Sequence, residues 1–414
     1  MNKTQSNGMN KFRSKRGSSV VFLTIILSTL IAITLAFVYS ARDYSQLSLA
    51  DGSLNLAGNS VLSEYDYYVA RDYGLFLIQG TDKQLSKYIR DYSGYPAKAS
   101  AGRYSTAGIE PVRQQILEYM KTAGAIDAVG GAAGDKLSSG AAGGSDLISE
   151  ATALPERTLR HGPTITSLPS HFLPDKNIVI TVEKLAENMK NPKAIFRTGT
   201  SKYILDSYIF NKFNTDVNVA DSEHFFAREV EYIICGELSD EKNLRKVDLA
   251  LKVFRTGLNL SHIYSDKEKT AAVMAAAEVI TPGVLGTITQ LGISTVWATA
   301  EAVNDVKILH KGHKVPIIKT DASWAVDLDA LLNGYNAEDG YVTPSVDRGQ
   351  TYNDYLRILL FTKDANIKTA RILDLIQINM RKNHDGNFLI QECATGISIG
   401  AKINEKSLSY DKIY

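Results

Sequence analysis

The sequence predicts an α+β protein in which an N-terminal transmembrane helix continues into an amphipathic helical stem, followed by a mixed α+β ectodomain. Three features indicate this fold: an uncharged apolar segment, an apolar stripe with helical spacing after it, and a C-terminal part that mixes helical and strand-like segments without βαβ regularity. The predicted parts are a cytoplasmic basic tail (1–17), the transmembrane helix (18–41), a helical stem region (42–122), a Gly/Ala-rich flexible linker (123–176) and an extracellular α+β domain (177–414).

The apolar segment comprises 24 residues, 18–41, without a charge, proline or glycine. A helix of roughly 20 apolar residues crosses a bilayer core of about 30 Å, so this segment is long enough to span it. Five basic residues and no acidic residue precede it, which predicts a cytoplasmic N-terminus and an external C-terminal domain. A cleaved signal peptide is the competing interpretation, although its apolar core is usually about 7–15 residues long. The candidate cleavage site Tyr39-Ser40-Ala41 also places a bulky tyrosine where a small residue is needed.

Small residues recur at every fourth position of the predicted transmembrane helix. They are Thr24, Ser28, Ala32, Ala36 and Ser40. Small side chains let two helix backbones approach closely within lipid, so this small-residue stripe predicts a helix–helix packing face. Such residues are also common in membrane helices, which explains the stripe equally well without a partner.

A second stripe follows the apolar segment, with apolar residues at steps of three and four. Its members are Leu47, Ala50, Leu54, Ala57, Val61, Tyr65 and Tyr68. This spacing places them on one helical face and predicts a stem interface, either with the protein's own ectodomain or with a neighbouring subunit. A helix unbroken from Ser18 to Tyr73 would be about 84 Å long at 1.5 Å per residue. Two shorter helices are predicted after it, at residues 82–92 and 111–122.

Glycine and alanine then dominate residues 124–144, with seven glycines and six alanines in 21 positions. Such a segment buries too little apolar surface to offset its ordering entropy, so it predicts a flexible tether.

The region beyond the tether combines strand-like and helical patterns. Strands are predicted at residues 178–182, 226–236 and 314–320, and as a closing pair within 388–403. Helices are predicted at residues 201–213, from Ser239 through Leu258, and at 266–280, 282–309, 351–361 and 367–383.

Composition excludes some classes of protein. Removing the five N-terminal bases from the 46 lysines and arginines leaves 41, against 45 aspartates and glutamates, and a nucleic-acid binder needs a basic patch instead. Two cysteines are too few for a disulfide scaffold. Cys235 and Cys393 both lie in strand-like segments, which is compatible with one external disulfide or with two buried free thiols.

No enzyme signature emerges from the motifs. Gly396–Gly400 matches the GxSxG nucleophile pattern, but strand-like sequence and no histidine follow it, so a hairpin is the better interpretation. His310 and His313 lack a third metal ligand at suitable spacing. Glu301 and Asp305 share a helix face, where paired acids are usually solvated. We therefore predict no catalytic residue, no metal ligand and no cofactor.

Several segments carry a family resemblance. Arg16-Gly17 precedes the apolar helix, SVLSEYD follows at residues 60–66, and RDYGLF stands at 71–76. Further matching pieces lie at residues 229–236, 243–260, 314–320, 351–360 and 371–381. Together they resemble pilin-like membrane proteins of tight-adherence (Tad, Flp) pilus gene clusters, and more narrowly an uncharacterised family related to the TadE and TadG minor pilins.

This resemblance implies a non-catalytic, membrane-anchored accessory component of a tight-adherence pilus or a related secretion or adhesion machine. The implied partners are other pilin-like or Tad membrane subunits, the lipid bilayer and further copies of the chain, with no nucleic acid. Processed TadE-type pilins carry a glutamate where this sequence has Phe22, so cleavage after Gly17 is not expected. A membrane-anchored cell-wall or surface hydrolase and a ligand-binding sensor ectodomain are the alternatives from other functional classes.

Overall fold

The computed structural model describes residues 13–129, 167–188, 200–215, 224–334 and 349–414. Its helices, in chain order, are α1 (Arg13–Leu62), α2 (Tyr67–Tyr73), α3 (Asp82–Ser93), α4 (Ile109–Val129), α5 (Ile178–Asn188), α6 (Thr200–Lys212), α7 (Glu229–Cys235), α8 (Asp240–Ser265), α9 (Lys267–Ile280), α10 (Gly286–His310), α11 (Leu328–Leu332), α12 (Tyr352–Thr362) and α13 (Ala365–Asn383). The strands are β1 (Ile78–Gln79), β2 (Ala97–Ser100), β3 (Cys393–Ala394), β4 (Gly396–Ile403) and β5 (Lys406–Ile413). The predicted α+β class is confirmed, with helices in the majority over the described ranges.

The chain divides into two compact units. The first contains α1, α3 and a three-stranded antiparallel sheet of order β2-β4-β5. A two-residue turn joins β4 to β5, and its residues Asn404 and Glu405 both have positive φ, 45° and 66°. Such a turn has the twist that an antiparallel hairpin requires.

The second half of α1 supplies the core of this first unit. Ala50, Leu54, Ala57 and Val61 are buried, and α1 contacts α3, β4 and β5. At Gly58 a Cβ atom would lie 2.8 Å from Cδ1 of Ile399 in β4. A larger residue here would force the ends of the Ile399 and Lys412 side chains to move, so glycine allows the sheet to pack closely on the helix, although it weakens helix formation.

The second unit is built around α13. Residues 367–380 of this helix are all buried, on its polar as well as its apolar positions. A continuous apolar core surrounds it, with contributions from α4, α6, α7, α8 and α12. A short antiparallel pair, β1 with β3, belongs to the same unit. A smaller apolar cluster lies among α8, α9, α10 and α11.

Several predicted elements differ from the structure. Residues 178–182 and 226–236, predicted as strands, lie in or flank the helices α5 and α7. Residues 314–320 form only an isolated bridge between Val315 and Gln350. The N-terminal helix is not unbroken to Tyr73: α1 ends at Leu62, and Asp66 caps the new helix α2 by accepting hydrogen bonds from the N–H groups of Tyr68 and Val69.

The predicted helices at residues 82–92, 111–122, 201–213, 239–258, 266–280, 282–309, 351–361 and 367–383 are confirmed, with shifts of up to seven residues at their ends. Helix α4 continues to Val129, so the first residues of the predicted flexible segment 124–144 are helical. Residues 130–144 and most of the basic tail lie outside the described ranges.

Candidate functional site

Helix α1 carries the residues that the sequence singles out. Its 50 residues correspond to about 75 Å at 1.5 Å per residue. Within the described part of the chain, Ser19–Leu62 is the one helix long and apolar enough to cross a membrane. Its N-terminal half is uncovered, and Phe37, for example, is 72% exposed.

The small-residue stripe lies entirely on this uncovered half. Thr24, Ser28, Ala32, Ala36 and Ser40 are all exposed. The Thr24 hydroxyl donates to the Val21 carbonyl at 2.8 Å and that of Ser28 to the Ile25 carbonyl at 2.9 Å, which satisfies both hydroxyls within the helix. These positions therefore present a low, internally bonded surface, and their role in helix packing remains a prediction.

The predicted stem interface divides at the end of α1. Leu47 is half-buried, and Ala50, Leu54, Ala57 and Val61 are buried by the protein's own first unit. Tyr65 and Tyr68 follow the helix and stay partly exposed. Tyr65 packs edge-to-face with Tyr414 at 6.2 Å between ring centroids, and Tyr68 stacks on His384 at 3.7 Å.

A row of polar contacts holds β5 against the second half of α1, the stem. In order along both elements the pairs are Lys406 over the Tyr44 ring, Tyr410 with Asp51, Lys412 with Asn55, and the Tyr414 hydroxyl with the Leu62 carbonyl. A strand advances about 27 Å over the eight steps from Lys406 to Tyr414 at about 3.4 Å per residue. Helix α1 advances about the same distance over the 18 steps from Tyr44 to Leu62 at 1.5 Å per residue. The two elements therefore stay in step, and we call this set of contacts the stem clasp.

The turn of the hairpin marks one end of the stem clasp. Asn404 donates through Nδ2 to Oε1 of Gln46 at 3.0 Å and to Oδ1 of Asp43 at 3.4 Å. These partners follow directly on the apolar segment that ends at Ala41. The turn of the C-terminal hairpin thus contacts α1 at the point where the apolar half of that helix ends.

Glu301 and Asp305, predicted to be solvated, are fully buried on α10. Asp305 Oδ2 lies 2.9 Å from Nε of the buried Arg255, and its Oδ1 lies 2.6 Å from Nζ of Lys319. Lys319 also pairs with Glu301. Two carboxylates and two cations therefore balance one another in the interior.

Backbone groups complete this ion network. Glu301 accepts the N–H of Val326 at 2.8 Å and that of Ala325 at 3.1 Å, and Arg255 donates to the Pro316 and Ile317 carbonyls at 3.0 Å each. Burial raises the pKa of Glu301, while the ammonium of Lys319 opposes that shift. Since both carboxylates are paired with cations of the chain and closed to solvent, the geometry is that of a structural tie between α10 and the 315–326 segment.

Helix α13 holds a second set of buried polar groups that the sequence did not reveal. Arg371 donates to the carbonyls of Ile233 and Ile234 at 2.8 Å and 3.0 Å, and its other terminal nitrogen lies 2.7 Å from Asp175. It thereby caps the C-terminal end of α7. Gly236 follows there with φ +73°, and a Cβ atom would lie 2.1 Å from Arg371.

The predicted chemical motifs do not converge on a reaction centre. Ser398, the serine of the GxSxG match, lies within β4 and donates to Asp411 of β5 at 2.6 Å, so no nucleophile elbow exists there. His310 contacts Asp248 at 2.7 Å through Nε2, whereas His313 is exposed.

Both cysteines are free and buried, so the disulfide considered from the sequence is not formed. Cys235 ends α7 and Cys393 lies in β3, each within the apolar core of the second unit. Burial raises the pKa of Cys235 to about 12 and that of Cys393 further still. Protonated thiols of this kind are poor nucleophiles and poor metal ligands.

One cluster of potential metal ligands occurs in the described ranges: His262, Asp266 and Asp321, whose ligand atoms lie within 4.8 Å of one another. The Lys269 ammonium contacts Asp321 and lies 3.4 Å from Asp266. A cation of the chain is therefore already paired with both carboxylates.

The RDYGLF motif contributes to a polar cavity of about 330 Å³ in the second unit. Arg71 and Asp72 line it together with His224, Asn379 and His384. His224 Nδ1 lies 2.7 Å from Glu229, and Asn379 donates to the same carboxylate at 2.7 Å. Arg71 and Asp72 of the motif, which belong to α2, thus share this cavity with residues of α13.

Comparison with known proteins leaves the function open. No curated protein and no solved structure matches the chain. A family model matches residues 148–405, which is more than half of the chain and includes α13 and the ion network of α10. The chain belongs to the family of unknown function DUF5702.

Proposed function

We propose that the protein is a non-catalytic, membrane-anchored, pilin-like accessory component of a tight-adherence pilus or of a related secretion or adhesion machine. One observation carries the proposal: a single helix is uncovered and apolar in its first half, whereas one face of its second half packs against the chain's own α3 and C-terminal hairpin. Pilin-like subunits use a helix of this kind, half membrane anchor and half amphipathic stem. The proposal also draws on the resemblance of residues 60–66 and 71–76 to TadE- and TadG-like proteins.

In this proposal the uncovered half of α1 lies in the cell membrane as a single span. Basic residues precede it and no acidic one does, so the short N-terminus is cytoplasmic and the C-terminal domain extracellular. The partners are the lipid bilayer, other pilin-like or Tad membrane subunits and further copies of the chain. The small-residue stripe is the face that meets a partner helix.

The non-catalytic part of the proposal rests on how the candidate chemical groups are used. Glu301 and Asp305 are committed to Arg255 and Lys319, and both cysteines are buried thiols. These four groups are thus engaged in holding the fold.

Photocrosslinking in intact cells tests the proposal. A benzophenone amino acid at Ala32, on the small-residue stripe, should capture membrane subunits encoded with a pilus secretion ATPase, and deleting the gene should reduce piliation. The same amino acid at Leu30, off the stripe, is the matched control and should capture mainly lipid. Full piliation after deletion, together with no protein product at Ala32, would contradict the proposal.

A further inference from the structure

An open groove of about 830 Å³ lies beside α9 in the second unit. One wall is α9 itself, through Ala272, Ala276 and Val279, and the other includes Leu328 and Leu332 of α11. Val279 is 84% exposed and Ile280 57%, so aliphatic surface faces solvent here. Large exposed aliphatic side chains that adjoin a cavity are typical of a surface that binds something.

The wall formed by α9 is shaped to receive an elongated apolar partner. Ala272, Ala276 and Val279 stand at steps of four and three, on one face of the helix. The alanines leave the α9 backbone low, so another helix can approach it closely. The same aliphatic surface continues into the α9–α10 turn, where Val284 is 98% exposed.

The edge of the groove is acidic. Asp321, Asp327 and Asp329 line it and are exposed, whereas Lys269 is the one cation among its lining residues. Lys269 is already paired with Asp321 and lies 3.4 Å from Asp266. Lys269 balances one of the three aspartate charges, so the groove has apolar walls and a net negative edge.

We propose that this groove binds an amphipathic helix of a partner protein that carries lysine or arginine beside its apolar face. The apolar face of the partner helix packs against the apolar walls of the groove, and the aspartates at the edge pair with its basic residues. An anionic membrane surface would be repelled by the same aspartates, which favours a basic helix over lipid. The inference rests on the groove alone, so it stands or falls separately from the proposed function.

The groove contains its own spectroscopic probe, since the chain has two tryptophans and both line it. Trp297 and Trp324 lie 5.2 Å apart between ring centroids, and both indole N–H groups donate to the Val326 carbonyl, at 2.8 Å and 2.9 Å. Intrinsic tryptophan emission therefore comes entirely from residues that line this groove.

The test uses the full-length protein in nanodiscs of uncharged phosphatidylcholine. The probe is a tryptophan-free amphipathic Leu/Lys peptide of about 18 residues, or five turns at 3.6 residues each. It should change the tryptophan emission saturably, and a Leu/Glu peptide with the same apolar face should bind at least about tenfold more weakly because of charge repulsion. Equal binding of both peptides, or no saturable change, would overturn the proposal.

Two variants of α9 locate the binding surface. Ala275→Arg places a long cation in the groove and should weaken binding of the Leu/Lys peptide by about tenfold or more. Met274→Arg is the matched control, since Met274 is exposed on the same helix and does not line the groove. Equal effects of the two variants would refute the site. Two results without any peptide would also refute the proposal. If vesicles that contain phosphatidylglycerol change the emission, lipid occupies the groove, and if a higher protein concentration changes it, a second copy of the chain does.

Discussion

The buried carboxyl group of Asp374 makes the stability of the folded protein depend on pH. Its carboxylate accepts the Ser170 N–H at 3.0 Å and the Tyr232 hydroxyl at 2.9 Å, with no exposed surface of its own. Burial raises the pKa of Asp374 to about 6, and the hydrogen bonds from Ser170 and Tyr232 only partly oppose that shift. The folded protein therefore binds this proton more tightly than the unfolded chain does.

The stability of the protein should fall as pH rises through this range. Because the folded pKa lies about two units above that of an unfolded aspartate, the stabilising contribution is complete below about pH 4 and is lost by about pH 6. At about 1.4 kcal/mol per unit, the loss amounts to about 3 kcal/mol at most. Asp374→Asn keeps the shape and removes the titration, so its free energy of unfolding should rise relative to the wild type between pH 4 and 7.

Urea unfolding of the full-length protein in detergent, followed at several pH values, measures this difference. Asp91→Asn, at an exposed position of α3, is the matched control and should follow the wild type throughout. Parallel pH profiles for Asp374→Asn and the wild type would show that Asp374 stays ionised in the native state.

Local spacing predicted some residue positions but not their environments. Glu301 and Asp305 do share one helix face, as their four-residue separation requires. Their burial depends on Arg255, which is 50 residues away from Asp305, and on Lys319. A partner so distant in sequence cannot be detected from residue spacing. The contact of Arg371 with the end of α7 could not be predicted for the same reason.

At the scale of elements, amphipathic helices were predicted well and buried apolar runs were not. Helices α8, α12 and α13 each follow an N-cap residue whose side chain accepts a hydrogen bond from an N–H group of the first turn. These N-cap residues are Ser239, Thr351 and Asp364. Residues 178–182 and 226–236 are rich in β-branched and aromatic residues, which suit a strand locally. In the structure residues 178–182 are helical and residues 226–236 contain the helix α7, because periodicity cannot separate a buried strand from a buried helix.

The small-residue stripe gives the prediction for α1. Replacing Ser28, Ala32 and Ala36 together with leucine keeps the segment apolar, so insertion into the membrane should survive. The larger side chains hold two backbones apart, and crosslinking to a partner helix should fall severalfold. The measurement is crosslinking yield in membranes, normalised to the inserted protein.

A matched triple variant changes residues off the stripe and makes the result specific. Ile26, Leu30 and Ile33 become valine, which alters three side chains without raising the surface of the stripe. Unchanged crosslinking in this control alongside the loss in the leucine variant is expected. If both variants crosslink as the wild type does, α1 serves as an anchor alone.

The whole molecule is organised by pairings between the two ends of the described chain. β2 at Ala97–Ser100 pairs with β4 near Ile399, about three hundred residues later, and β5 then follows α1 along its stem. No local pattern of the sequence signals this closure. The strand-like ending predicted paired strands within residues 388–403 with a hairpin at Gly396–Gly400, whereas these residues lie inside β4 and the turn to β5 is at Asn404 and Glu405. The place of this hairpin on the stem depends on contacts between residues that are remote in sequence.

Deleting residues 406–414 should therefore affect the first unit far more than the second. The deletion removes β5, its eight pairs with β4 and the whole stem clasp, while the core around α13 keeps all its members. Hydrogen exchange of the full-length and truncated proteins in detergent should show amide protection in α3 and the 47–61 part of α1 falling about tenfold or more, equivalent to about 1.4 kcal/mol of local stability. Protection in residues 367–380 should stay within error of the intact protein. Loss of protection in α13 to the same degree would mean that the two units unfold together, and unchanged protection in α3 would mean that α1, α3 and β2 hold the stem without the clasp.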